Sequence, residues 1–320
     1  MFILLCIIIF IVSFGLGIAS KIVIKPSWAK DYEVEFSDEI GTLYKDLSYG
    51  QKEANKFDMY LPKDDTKDTY GLVVYLHAGG FTAGDKSGDK DMLSWLCSKG
   101  YVAVGINYTL FNEENPDANV YTQSMEIKEA MPVVIKEAKN LGYNINQMAI
   151  AGGSAGHTLA MIYAYRDADT SPVPVQLLFG AVGPSSFYVE DWDIYGFDQN
   201  NTKAKEGAAG LFSVMSGQKI TRDMIENQSY LEKVKPISAL MWIDDKTVPS
   251  VVAYGKYDKV QPYKGSQRLL KAYKDHHIDY QYFEAKHSGH GVQNDNKIYK
   301  EYMETVEAYL DKYLPLKEKI

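Results

Sequence analysis

Cysteine is nearly absent: the 320-residue chain has two, Cys6 and Cys97. Two such distant cysteines build neither a disulfide framework nor a zinc site. Cys97, in "SWLCSKG", reads as a small buried apolar residue near a helix end. An excess of positive charge is also missing. Lysine and arginine number 34 against 42 aspartates and glutamates, a net charge of −8 with no basic cluster. That argues against a nucleic-acid partner bound through its phosphates. No internal repeat and no low-complexity tract is present, and 46% apolar with 24% charged residues is a globular composition.

Charge is absent altogether from "MFILLCIIIFIVSFGLGIAS", residues 1–20. As a helix this segment would be about 30 Å long, enough to cross a hydrocarbon core. It reads as an uncleaved membrane anchor or as a signal segment cut after the small-x-small pattern Gly17-Ile18-Ala19. The basic start expected of a signal peptide is lacking. Lys21, Lys25 and Lys30 follow the segment and point weakly to a cytoplasmic body, and acidic residues from Asp31 blur that signal. The expectation is a membrane-anchored or exported protein, side undecided, with one domain over 31–320.

What is present is an alternation of strand-like and helix-like runs. "YEVEF", "LYKDLSY" and "NKFDMYLP" predict short antiparallel strands at the start. From residue 71 dense apolar runs at 71–77, 101–108, 147–154, 175–183, 250–258 and 278–287 predict buried strands. Helical spacing falls between and after them, at 91–100, 121–142 and 155–165, in "YKGSQRLLKAYKDHH" and in "NKIYKEYMETVEAYLDKYL"; Pro132 either kinks the second of these or marks its true start. This is an α/β fold, a mostly parallel twisted sheet with helices on both faces. In such sheets ligands sit beyond the carboxyl ends of the strands. Residues 184–248 interrupt the alternation. They read as a cap or lid excursion over the site, or as an ordinary surface loop with helices.

The unusual residues gather at the strand ends. "GGSAG", residues 152–156, is G-x-S-x-G between a strand and a helix, a nucleophile elbow that projects the Ser154 hydroxyl above the sheet. In "LHAGGF" the glycines free backbone N–H groups to face a negative oxygen. With Ala155, the expected oxyanion donors are Gly79 and Gly80, and His77 shapes the loop through hydrogen bonds. A serine nucleophile needs a base, and the base an orienting acid. Asp258 ends the run "VVAYGKYD", and His290 lies in "HSGHG" past the last strand. The order Ser154, Asp258, His290 suits this architecture. His287 competes with His290, which is preferred because Gly289 and Gly291 flank it. His276 and His277 read as surface residues. His287-x-x-His290 lacks a third ligand at fitting spacing, so no metal is expected.

Together these residues resemble the α/β-hydrolase superfamily, and within it the esterase/lipase group that includes hormone-sensitive-lipase-like and feruloyl-esterase-like enzymes. "HAGGF" is similar to that group's HGGGF, "GINYTL" to its NYRL segment and "IAGGSAGHTLA" to its GxSAGG.LA. "YGKYDKVQP" is similar to HGxxDxxVP, and "HSGHGV" to GHGF. The resemblance covers most of residues 55–313. It implies a serine hydrolase acting on small-molecule carboxylic esters without metal or organic cofactor. Three positions depart from the pattern: Ala78 replaces a glycine, His157 stands where a second glycine is usual, and Thr109 replaces an arginine, so a supporting ion pair is expected to be absent there. The rivals are a prolyl-oligopeptidase-like peptidase and a non-catalytic hydrolase-fold binding protein at the membrane. The first needs a large propeller that the residues before Leu72 cannot supply. The second is favoured by loss of a triad member, and all three are present. The 25 tyrosines leave aromatic or sugar-linked acyl groups open.

Overall fold

The structure is a computed structural model that describes residues 26–64 and 67–316. The apolar segment 1–20, read above as an anchor or signal, lies outside the described residues. Among the described residues no helix is long and apolar enough to cross a membrane.

Eight strands form one sheet: β1 (Gly41–Ser48), β2 (Lys56–Pro62), β3 (Tyr70–Leu76), β4 (Val102–Ile106), β5 (Ile145–Gly153), β6 (Val175–Ala181), β7 (Ser250–Gly255) and β8 (Tyr280–Ala285). Their spatial order is β1-β2-β4-β3-β5-β6-β7-β8. The first two pairs, β1–β2 and β2–β4, are antiparallel and the other five are parallel. The mostly parallel sheet with an antiparallel start is therefore as the sequence predicts. Burial on both faces explains the unbroken apolar runs of the central strands.

Helices α1 (Lys90–Ser98), α2 (Val120–Asn140) and α3 (Ala155–Ile162) follow β3, β4 and β5. Between β6 and β7 lie α4 (Thr202–Ser216), α5 (Arg222–Glu226) and α6 (Leu231–Val234), while α7 (Tyr263–Asp275) and α8 (Asn296–Tyr313) follow β7 and β8. Successive strand residues point to opposite faces. Leu72, Val74 and Leu76 join a core with Ile127, Met131, Leu159 and Leu269 from α2, α3 and α7. Val73 joins a second core with Leu93, Trp95, Val306 and Leu310 from α1 and α8. Both faces of the sheet are covered.

Two local expectations are corrected. "YEVEF" forms no strand. Its alternation instead packs side chains: Tyr32 lies 5.3 Å from Trp95 and Phe36 5.0 Å from Tyr60, ring centre to ring centre. Pro132 does not start a helix, since it lies inside α2. The start is set by Asn119, whose Oδ1 accepts the Thr122 N–H at 3.0 Å while Thr122 Oγ1 accepts the Asn119 N–H at 2.9 Å. The stretch 184–248 carries an aromatic cluster of its own, in which Phe212 packs against Phe187, Trp192, Phe197 and Tyr230.

Candidate functional site

The parallel register sets Leu76 of β3 level with Gly152 of β5, and Gly153 level with Ala181 of β6. The turns that leave these strands therefore start at one height. Ser154 stands in the β5–α3 turn with φ 51° and ψ −118°, a conformation that costs a non-glycine residue about 1–3 kcal/mol. Its N–H is held by the Ala181 carbonyl at 2.8 Å. Gly156 lets the helix come down on the neighbouring strand: a Cβ there would lie 1.9 Å from the Leu76 carbonyl oxygen. The elbow's geometry thus depends on the absence of one methyl group.

Three side chains from far-apart segments meet above this turn. His290 Nε2 lies 2.9 Å from Ser154 Oγ, and His290 Nδ1 lies 2.8 Å from Asp258 Oδ2. The Asp258 carboxylate is fully buried, and its other oxygen accepts the N–H groups of Val260 at 2.8 Å and Gln261 at 3.0 Å. An ionised carboxylate only accepts hydrogen bonds, so Nδ1 carries the imidazole proton and Nε2 is left to accept from the Ser154 hydroxyl. The result is a directed hydrogen-bond chain from carboxylate to imidazole to hydroxyl. His287 stays outside it, on a surface hollow beside Ser288 and Asn294. His276 bonds exposed Asp245 at 2.8 Å.

The loop after β3 runs beside the serine. Gly79 has φ 136°, and a Cβ on it would lie 1.9 Å from the Ala83 carbonyl oxygen, so this bend requires glycine. Gly80 and Ala155 border the same cavity as Ser154 and His290. Gly79 lies one residue back, where its carbonyl accepts the N–H groups of Thr82 and Ala83. His77 is buried, stacks on Tyr108 at 4.3 Å and contacts the Ala78 carbonyl at 2.8 Å. Burial pushes its pKa below the usual histidine value. It shapes the loop, as the sequence reading holds.

Bracing of this loop comes from residues that the sequence reading missed. Buried Gln123 on α2 donates from Nε2 to the carbonyls of Phe81 and Thr109, both at 2.9 Å. Asn107 accepts the Lys86 N–H at 2.7 Å and donates to Asp85 at 2.6 Å. Thr109 carries no charge and makes no ion pair, and the Glu126 carboxylate beside it is held in other ways. Thr109 binds the Glu126 carboxylate through its N–H at 2.7 Å and its hydroxyl at 2.8 Å, and Lys52 supplies the cation at 2.7 Å. That lysine comes from the β1–β2 turn, 74 positions before its partner.

The cavity beside Ser154 holds about 300 Å³. Its walls include Phe111 and Val120, together with Trp192, Leu211 and Met215 from the 184–248 stretch. That stretch therefore supplies part of the cavity wall.

The BD-FAE family model matches residues 57–273, from β2 through α7. The chain belongs to the BD-FAE family. Among relatives of this BD-FAE chain, kynurenine formamidase of Danio rerio is 30% identical over 40% of the chain and 41% of its own length. The probable carboxylic ester hydrolase LipM of Mycobacterium tuberculosis is 30% identical over 37% of the chain and 27% of its length. Ethyl acetate hydrolase of Pseudomonas putida is 27% identical over 37% of each. The chain thus spans about two-fifths or less of these curated relatives. Among solved structures, esterase B of Lactobacillus rhamnosis superposes with a TM-score of 0.64 at 18% identity, covering 93% of each chain. The Est2 esterase of Thermogutta terrifontis gives 0.66 at 17%, covering 88% of this chain and 95% of its own. At those identities the likeness establishes the fold, that of α/β-hydrolase esterases.

His157 is a departure that the fold uses. It is fully buried, and its Nδ1 accepts the Gly183 N–H at 3.1 Å. Burial pushes its pKa down to about 3. The unfolded chain, with a histidine pKa near ~6.5, binds this proton while the folded chain does not, so stability falls as pH drops from about 6.5 toward 3. His157→Gln keeps an acceptor and removes the titration. Urea unfolding from pH 6.5 to 4.5 should show the parent losing more than the variant, by about 0.7 kcal/mol per pH unit at the start and approaching about 1.4 at the end. Equal slopes would remove His157 as the source.

Proposed function

We propose that the chain is a serine hydrolase that cleaves carboxylic esters of small molecules through an acyl-enzyme. The observation that carries this reading is the unbroken hydrogen-bond chain Asp258–His290–Ser154 at the wall of an apolar cavity. His290 takes the Ser154 proton as Oγ attacks the ester carbonyl. Asp258 holds the imidazole in the required tautomer and stabilises its positive charge. The N–H groups of Gly79, Gly80 and Ala155 receive the oxyanion, each such donor contributing about 10²–10³ in rate. Protonated His290 then delivers its proton to the departing alcohol. Water, deprotonated by the same imidazole, attacks the acyl-serine and releases the acid.

The formamidase relatives motivate a second substrate class, since an acyl-serine forms equally from an activated formamide. A fluorophosphonate probe is expected to label Ser154, and the full chain to hydrolyse p-nitrophenyl acetate and butyrate faster than N-formylkynurenine. Faster turnover of the formamide would exchange the two substrate classes. No labelling and no turnover would return the non-catalytic binding reading. Residues 1–20 are taken in this proposal as an anchor or export segment; fractionation and N-terminal sequencing of the expressed chain distinguish the two.

A further inference from the structure

Large apolar side chains left in water are few in this fold, and they are not scattered. Among the described residues, Phe111, Tyr195, Val214 and Val260 are exposed and also border the cavity that holds Ser154. The other three exposed large apolar residues are Tyr121, Ile194 and Tyr257. Ile194 precedes the cavity-lining Tyr195, whereas Tyr121 lies outside the ring, under the Arg166 guanidinium at 5.8 Å. Tyr257 precedes Asp258, and its N–H is bound by the Ser288 carbonyl in the His290 loop at 3.0 Å. Val260, Val214 and Tyr257 are each more than half exposed. Isolated exposed apolar residues need no explanation, whereas a ring of them around one opening marks a contact surface.

On the Tyr195 and Val260 side the charges fit an apolar contact, while Glu113, Glu114 and Asp117 are exposed on the Phe111 side. Asp193 and Asp198, which flank Ile194 and Tyr195, are both held by Lys264, at 3.1 and 3.2 Å. Lys256 and Lys259, exposed beside Tyr257 and Val260, are long-stemmed cations that can keep their ammonium groups in water while their stems lie along an apolar phase. The start of the described chain packs on the α1/α8 face of the sheet. Trp28 packs on Tyr299 at 6.0 Å, in the first turn of the helix that leaves the His290 loop. Six residues before Pro26 end a twenty-residue run without a charged side chain.

We propose that this collar is a lipid-docking surface, which seats the cavity mouth on a bilayer so that an apolar ester passes from the lipid into the cavity without crossing water. Delivery of an ester rests on the hydrolase reading above, but docking is measurable without it. In the full chain carrying Cys6→Ser, an environment-sensitive nitrobenzoxadiazole dye is attached through Ile194→Cys, or through Lys139→Cys at the far end of α2. Phosphatidylcholine vesicles should brighten the dye at 194 several-fold and leave the dye at 139 unchanged. Equal responses at the two positions overturn the docking. So does a dye at 194 that is bright before lipid is added, because the collar is then covered by the chain itself or by a second copy. In a second arm, hydrolysis of tributyrin should rise as the ester passes its solubility limit. Ile194→Ser with Tyr257→Ser should lower that emulsion rate about tenfold while kcat/KM on soluble p-nitrophenyl acetate holds. Loss on both substrates in equal measure overturns the proposal. A dye response at 194 in a chain that hydrolyses no ester would leave docking standing and remove the catalytic reading.

Discussion

Ser154→Ala should lower kcat on p-nitrophenyl acetate by about 10⁴–10⁶, with KM little changed, because the hydroxyl is the only atom removed and the cavity is left intact. The residue sits at φ 51° with its N–H bound to Ala181 and with Gly156 closing against Leu76. Alanine inherits the same backbone, so the variant should fold and its circular dichroism should match the parent. A variant within tenfold of the parent rate would mean that catalysis does not pass through this oxygen.

Asp258→Asn should cost about 10⁴ in kcat, for a reason that the hydrogen bonds define. One carboxylate oxygen accepts two backbone N–H groups, from Val260 and Gln261. An asparagine would have to place its carbonyl oxygen there, since an NH₂ group cannot accept. Its NH₂ then faces His290 Nδ1, which must accept, and the ring proton moves to Nε2. In that tautomer the imidazole cannot take the serine proton. The same variant should retain fluorophosphonate labelling only at a similarly reduced rate. Activity within tenfold of the parent would show that the carboxylate does not set the tautomer.

The legible part of the site was the part written at strand ends. Ser154, Asp258 and His290 each follow an apolar run, and parallel pairing through crossovers brings such ends to one edge whatever the chain between them does. The glycines at 79 and 156 were legible because they answer local needs, a positive φ and a close approach. The cavity wall was not. Leu211 and Met215 lie on α4, whose helical spacing is legible, but where α4 and Trp192 sit over the sheet depends on the packing of Phe212 among four other rings. Lys52 was invisible as an ion-pair partner because its glutamate lies 74 positions further on and is met only after β2 pairs with β4. "YEVEF" shows the opposite failure. Its alternation was real, but rings on α1 and β2 received the inward side chains and no ladder formed on its backbone.

The order of the strands also bears on when the molecule becomes active as it is synthesised. His290 lies past β8, the final rung of the sheet, and the loop that carries it is followed by α8, which packs back across β6 and β7. A ribosome that has released only the first 280 residues has already made the serine, its elbow and the glycine loop, yet no proton acceptor stands beside them. On the proposed mechanism, the hydroxyl stays inert until the segment past β8 has been made and has folded back onto the sheet.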